Sequence, residues 1–262
     1  MNKKADSSEN VVKLKQGSSA DAPARRKGIY LLPNLLTTGA LFAGFYAVLS
    51  GFTGQFELAA IAIFAAMIFD GLDGRVARMT NTQSDFGVQY DSLSDMVSFG
   101  VAPAVVAYGW GVSDLGKLGL AAAFVYASCA ALRLARFNVQ AESSDGKVFT
   151  GLPSPAAAAL VAGFVWSTYE LAPSVALSVL GAVFTAAAGL LMVSNFKYPS
   201  FKEVDLRGKV PFIVILSVVM GFVVITIDPP RILFMLAVFF SFSAPLIWLA
   251  KKLGFSASPK AD

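Results

Sequence analysis

The sequence predicts an all-α, polytopic transmembrane bundle of about eight helices with both termini in the cytoplasm, and three observations carry that prediction. Apolar residues make up 56% of the 262 positions and charged residues only 15%, a balance foreign to a water-soluble domain of this length. Apolar runs long enough to cross a hydrocarbon core, about 17 to 25 residues each, recur along the chain. Basic residues gather in alternate gaps between those runs.

Residues 1–28 are polar, rich in Ser, Ala, Lys and Asp, and lack the apolar stretch of a cleavable signal, so a disordered cytoplasmic tail is expected. The apolar runs then follow as Leu31 to Phe52, Phe56 to Arg78, Phe86 to Trp110 and Gly116 to Gln140. A polar turn from Met79 to Ser84 separates the second from the third. The fifth, Pro155 to Leu171, is the shortest, and its start is set by Pro153 and Pro155. Ser174 to Ser194, Val210 to Ile227 and Ile232 to Ala250 complete the set. Residues 29–252 are read as one transmembrane domain without internal repeats, and 253–262 as a short cytoplasmic tail. The single cysteine, Cys129, excludes an intrachain disulfide and reads as a small buried side chain.

Charge fixes both the number of helices and their direction. With the first helix leaving the cytoplasm, every one of the 21 Lys and Arg residues except Lys117 and Arg231 falls on the inner side, and removing one helix scrambles the alternation downstream. The net charge of +4 is thus spread over loops flanking the membrane. That excludes nucleic acid as the partner and favours the anionic headgroups of membrane lipids.

Four aspartates, Asp70, Asp73, Asp91 and Asp95, interrupt the second and third apolar runs. An ionisable group at membrane depth costs about 2.5 to 3.5 kcal/mol even on the lenient insertion scale, so four together require compensation. Asp70 and Asp73 are three apart on one helix face, followed by Gly74, Ala77 and Arg78; Asp91 and Asp95 are four apart on the next helix, with Gly87 one turn earlier. A short turn places the two helices side by side and brings the carboxylates together near the cytoplasmic end. Hard oxygen ligands in this number suit Mg2+ or Mn2+, two ions with bridging carboxylates included, and such a pair clamps phosphate.

Each neighbouring residue also has a structural reading. Gly74 and Gly87 admit a bulky ligand to the helix backbone, whereas Gly71 fits ordinary helix packing. Arg78 suits a phosphate oxygen or an interfacial anchor, and Arg75 the anchor alone. Asn34, Thr37 and Thr38 suit caps or interhelical hydrogen bonds as well as ligand contacts, and Asp85 suits a helix start. Glu57, Asp114, Glu170 and Asp228 fall on the outer side and carry no assigned chemistry.

The spacing Asp70, Gly71, two residues to Gly74, Ala77 and Arg78, eight residues to Gly87, three to Asp91 and three to Asp95 resembles the signature of the CDP-alcohol phosphatidyltransferase family at every position. The resemblance implies a membrane enzyme that moves a phosphatidyl or related group from a CDP-linked donor to an alcohol and releases CMP. It also implies a six-helix common core, here extended by two C-terminal helices, and a homodimer. Carried over by position, Asp70, Asp73 and Asp91 resemble ligands of one metal, and Asp70, Asp91 and Asp95 ligands of a second. Asp91 and Asp95 become the catalytic pair, Asp95 as proton acceptor. Gly74, Arg78, Ser84 and Gly87 resemble contacts to the CDP-lipid, with Asn34, Thr37 and the Pro33 to Leu36 segment closing over the nucleotide.

The acceptor must be read elsewhere. The fourth helix ends ALRLARFNVQ, the following loop closes with FTGLPSPAAAA, and a later segment reads LLMVSNFKYPSFK. Together these resemble the phosphatidylserine synthases of the CDP-alcohol type. An amino-acid acceptor brings a carboxylate that needs a cation, which makes Arg133, Arg136 and Asn138 the candidate acceptor residues; both arginines equally suit anchors of a helix end. Lys147, Pro153, Ser154, Lys197, Tyr198 and Lys202 are further candidates for the same entrance.

The implied reaction joins CDP-diacylglycerol and L-serine into phosphatidylserine and CMP at the inner cell membrane, with the active site facing the cytoplasm. A chain with no histidine cannot use the histidine nucleophile of the phospholipase D kind, which leaves a single in-line displacement. The alternatives are another acceptor, glycerol 3-phosphate, an inositol compound or choline, and a divalent-cation transporter, which leaves Gly74, Ala77, Arg78 and Gly87 without a purpose.

Overall fold

The computed structural model describes residues 31–140, 148–172, 174–199 and 212–253. The expected N-terminal tail, all but the first residue of the expected C-terminal tail, Lys147 and Lys202 lie outside the described residues.

The described residues form eight helical rods that coincide with the eight apolar runs. These are α1 (Leu31–Phe52), α2 (Phe56–Thr80), a composite third rod, α5 (Lys117–Gln140), α6 (Ser154–Thr168), α7 (Val175–Val193), α8 (Phe212–Ile227) and α9 (Pro229–Lys252). The third rod is α3 (Asp85–Asp95), a π-helical segment (Met96–Val101) and α4 (Ala102–Trp110), and a 3-10 turn at Val112–Leu115 leads on to α5. Helices α1, α5, α7 and α9 are long and apolar enough on their own to cross a bilayer. In α2 and the third rod the same apolar character is broken by the aspartates. The protein is a multi-pass membrane protein built as a helical bundle.

Small residues set the packing. The inward face of α1 carries Pro33, Thr37, Ala40, Ala43, Gly44, Ala47, Ser50 and Gly51, and α2 answers with Ala59, Ala60, Ala62, Ile63 and Ala66. Where lipid tails are as apolar as leucine, association depends on close van der Waals approach, which such seams permit. Large side chains such as Phe42 and Phe45 point outward instead, into what is hydrocarbon in the membrane. At the centre lies α6, whose Ala157, Ala158, Leu160, Val161, Ala162, Phe164 and Val165 are all buried against α2, α4, α7 and α9. Gly163 lets α9 close on it: a methyl there would fall 3.0 Å from the Phe234 Cα.

One element lies beyond the all-α expectation. Strands β1 (Val148–Thr150) and β2 (Lys197–Pro199) pair antiparallel, with Phe149 opposite Tyr198. Gly151, at φ +84°, turns the chain out of β1 so that its N–H meets the Phe196 carbonyl at 2.8 Å and that of Leu152 meets the Leu191 carbonyl at 2.9 Å. The ribbon is fastened to α9 by buried Tyr198, whose hydroxyl donates to the Ser241 carbonyl at 2.7 Å. That carbonyl has no α-helical donor, because the residue four positions on is Pro245. Burial pushes the Tyr198 phenol up to about 12, so it remains a donor across the physiological range.

Candidate active site

Local signals shape the cleft. Asn81 ends α2 in the left-handed conformation, φ 51°, where asparagine is tolerated, and its N–H reaches the Ala77 and Arg78 carbonyls. Ser84 opens α3 as its N-cap, accepting from the Gly87 N–H at 3.1 Å. Asp85 is the first helical residue, the helix-start position expected for it. Side-by-side contact between α2 and α3 was the expectation from the short turn, but the two meet chiefly through α1, which packs on both.

The seam with α1 is polar. Ser94 donates to the Thr37 carbonyl at 3.1 Å and Ser98 to the Ala40 carbonyl at 3.0 Å, both buried. Thr38 and Tyr90 share a hydrogen bond of 2.9 Å. Carboxylates from α2 and α3 are held across this seam. One oxygen from each of Asp70, Asp91 and Asp95 lies within 4.8 Å of the others. The side chains of Asp70 and Asp95 approach closely enough to hydrogen-bond. Asp73 stands outside this trio: it is buried, and its Oδ2 accepts from the Thr37 hydroxyl at 2.7 Å. Three converging carboxylate oxygens, with no histidine or cysteine grouped with them among the described residues, match the donor preference of a small hard dication.

The remaining candidates surround this group. The guanidinium of Arg78 lies over Gly74, 3.5 Å from where a methyl on that glycine would stand. Gly87 faces Asn34 in the same way, with Asn34 Oδ1 3.7 Å from its missing methyl. Asn34, Ser84 and Gly87 thus meet where α1 faces the start of α3, while Gly74 and Arg78 sit together on the last turns of α2.

Helix α5 closes the other side. Arg133 is 9% exposed, donates to the Ser154 hydroxyl at 2.7 Å and lies within electrostatic reach of Asp95 and Asp70; its Nε has no partner among the described residues. Arg136, one turn on, donates to the carbonyls of Thr150 at 2.7 Å and of Val193 and Ser194 at 3.4 Å, clasping the ribbon end to α7. Asn138 and Ser92 exchange hydrogen bonds of 3.0 and 3.2 Å that fasten α3 to α5. Of the candidate acceptor residues, then, Arg133 alone is buried with a free donor beside the carboxylates. Sequence reasoning places Ser94 beside Asp91 and Asp95 without giving it a role and passes over Ser98 and Tyr126; the four-residue spacing of the serines is the available signal.

Residues 30–194 match the CDP-alcohol phosphatidyltransferase family. A CDP-diacylglycerol–serine O-phosphatidyltransferase of Helicobacter pylori is 40% identical over 197 residues, covering 74% of this chain and 83% of its own length. The protein of the same name in Bacillus subtilis is 35% identical over 172 residues, 66% of this chain and 92% of its own. An archaetidylserine synthase of Methanothermobacter thermautotrophicus is 38% identical over 171 residues, 64% of this chain and 69% of its own.

Proposed function

The chain belongs to the CDP-alcohol phosphatidyltransferase family, and from that premise we propose that it transfers the phosphatidyl group of CDP-diacylglycerol to the hydroxyl of L-serine, giving phosphatidylserine and CMP. The observation that carries the chemistry is the convergence of Asp70, Asp91 and Asp95. The acceptor is carried by the names of the relatives, bacterial and archaeal, and by buried Arg133.

In this reading Asp70, Asp91 and Asp95 hold divalent cations, Mg2+ or Mn2+, and Asp73 completes the set for a pair. Bound there, such ions offset the charge of the pyrophosphate and of the departing CMP. Asp95 takes the proton from the serine hydroxyl as its oxygen bonds to the phosphorus that carries diacylglycerol, and the bond from that phosphorus to the CMP oxygen breaks. Arg78, over Gly74, reaches a phosphate oxygen of the CDP-lipid, while Asn34, Thr37, Ser84 and Gly87 bound the nucleotide. The free Nε of Arg133 is directed to the serine carboxylate, a charge-assisted contact suited to a planar guanidinium. Arg136 and Asn138 act through position, holding the ribbon and α3 around the acceptor.

The proposal places the enzyme in the inner cell membrane as a homodimer, with both termini and the aspartates on the cytoplasmic side; the distribution of Lys and Arg supports that orientation. Purified protein given CDP-diacylglycerol and, separately, serine, glycerol 3-phosphate, inositol or choline tests the acceptor. CMP release that depends on serine is expected, and release with another alcohol but not serine overturns the assignment.

A further inference from the structure

The third rod leans on α1 over most of its length, yet a regular helix cannot do so with the contacts it makes. Ser94 and Ser98 bond to carbonyls of α1, and Val106 packs so tightly against Gly51 that a methyl there would fall 2.9 Å from its Cγ2. At about 100° per residue, the twelve residues from Ser94 to Val106 leave the two ends roughly 120° out of phase. The π-helical segment between them removes most of that error. Its Ala102 N–H bonds to the Val97 carbonyl five residues back, and one such turn takes in one extra residue, or about 100°. The net drift is then about 20°, and both ends of the rod face α1. Asp91 and Asp95 flank Ser94 at positions −3 and +1, so the same segment decides where they point.

What holds the segment is a tyrosine and a proline. Pro103 offers no N–H to the Phe99 carbonyl, which a regular helix would pair four residues on. The hydroxyl of Tyr126, fully buried on α5, donates to that carbonyl at 2.8 Å. Gly100 allows the approach, since a methyl there would stand 3.2 Å from the Ala130 Cβ. The arrangement repeats at the ribbon, where Tyr198 serves the Ser241 carbonyl that Pro245 leaves unpaired. Here, however, the supported carbonyl lies four residues from Asp95.

We propose that Tyr126 is a positioning residue: through the Phe99 carbonyl it holds the π-helical segment that aims Asp91 and Asp95 at Asp70. The inference rests on the role of the aspartates proposed above, and the experiment separates the two. Three variants of the full chain, Tyr126→Phe, Tyr126→Phe with Pro103→Ala, and Val165→Ala as a buried control in α6, are compared with the parent. For each, the melting temperature in detergent, the Mn2+ dissociation constant from the EPR signal of free Mn2+, and serine-dependent CMP release are measured. Tyr126→Phe is expected to lower kcat about tenfold or more and to weaken Mn2+ several-fold, with KM for serine unchanged. Adding Pro103→Ala supplies the missing N–H and lets the rod return to regular α-helix, which turns one end about 100° away from α1, so kcat and Mn2+ affinity stay low and the melting temperature does not recover. Val165→Ala lowers the melting temperature and leaves Mn2+ affinity as in the parent.

The inference is overturned if Tyr126→Phe keeps the parent's Mn2+ affinity, or if kcat and Mn2+ affinity return to the parent's values in the double variant. A parent that binds Mn2+ but releases no CMP with serine removes the proposed activity alone, and the Mn2+ comparison still decides the role of Tyr126. A parent that binds no Mn2+ removes both.

Discussion

Gly44→Ala adds one methyl at the point where α1 and the third rod come closest. The added Cβ would fall 2.6 Å from the Ser98 Cα and 2.8 Å from its Cβ, with the Ser98 hydroxyl nearer still. Carbon atoms rest about 3.5 to 4.0 Å apart, so the rod must retreat by about 1 Å. Two of the contacts are backbone or Cβ atoms of a helix and cannot swing aside as a long side chain would. The Ser98 bond to the Ala40 carbonyl, now 3.0 Å, stretches to about 4 Å and is lost, and the Ser94 bond to Thr37 at 3.1 Å is strained with it. Overpacking of this kind costs about 1 to 3 kcal/mol, and each lost hydrogen bond about 0.5 to 1.5 kcal/mol more. Because Asp91 and Asp95 ride on the rod while Asp70 does not, a shift of that size lowers the rate roughly 100-fold. Serine-dependent CMP release and thermal unfolding in detergent measure both effects. Gly221→Ala in α8, where an added methyl meets nothing within 4 Å, is the matched control and keeps the parent's values. A Gly44→Ala protein with the parent's rate and melting temperature refutes the claim that this seam sets the site.

Asp95→Asn is expected to lower kcat by about 10² to 10⁴ with the fold intact, and retention of kcat removes Asp95 as the proton acceptor. Chelation abolishes activity and Mg2+ or Mn2+ restores it, while Asp70→Asn raises the metal concentration needed; activity that survives exhaustive chelation excludes a metal role. Arg133→Lys is expected to raise KM for serine tenfold or more while KM for CDP-diacylglycerol holds, and an equal rise in both refutes a contact with the acceptor carboxylate. Tyr198→Phe costs about 0.5 to 1.5 kcal/mol through the lost bond to Ser241 and spares the rate. The pH response follows from the raised pKa of Tyr198, about 12 when folded against the ordinary tyrosine value of 10.0. Its contribution is complete below pH 10 and is lost as pH climbs through 12, because the unfolded phenol gives up its proton first. The variant therefore shows a shallower alkaline loss of stability in denaturant titrations, and an unchanged alkaline slope refutes the burial argument.

The spans were legible because each was a long apolar run closed by charge, and the bounds of α1 fall where the run does, at Leu31 and Phe52. The aspartate group was legible because carboxylates are so costly in such runs that their spacing carries information. Three features were not legible, each for a physical reason. The π-helical segment lies inside a continuous apolar stretch, and an inserted residue changes rotation without changing hydropathy; Pro103 was its only trace. The β ribbon joins segments 49 positions apart at Phe149 and Tyr198, a pairing that strands of three residues cannot announce. Arg136 read as an anchor or an acceptor contact, and only coordinates reveal its hydrogen bonds to three backbone carbonyls.

Helix α6 has 15 residues, so it rises about 22 Å, less than the roughly 30 Å of a hydrocarbon core. Such a stub endures where protein rather than lipid surrounds it, and α9 provides much of that wrapping through Phe234 against Gly163 and Phe164. Yet α9 begins at Pro229, well past residue 194, where the match to the family stops. Similarity alone is therefore a poor guide to a minimal enzyme: cut at that border, the chain would keep its acids and lose the sleeve around its shortest rod.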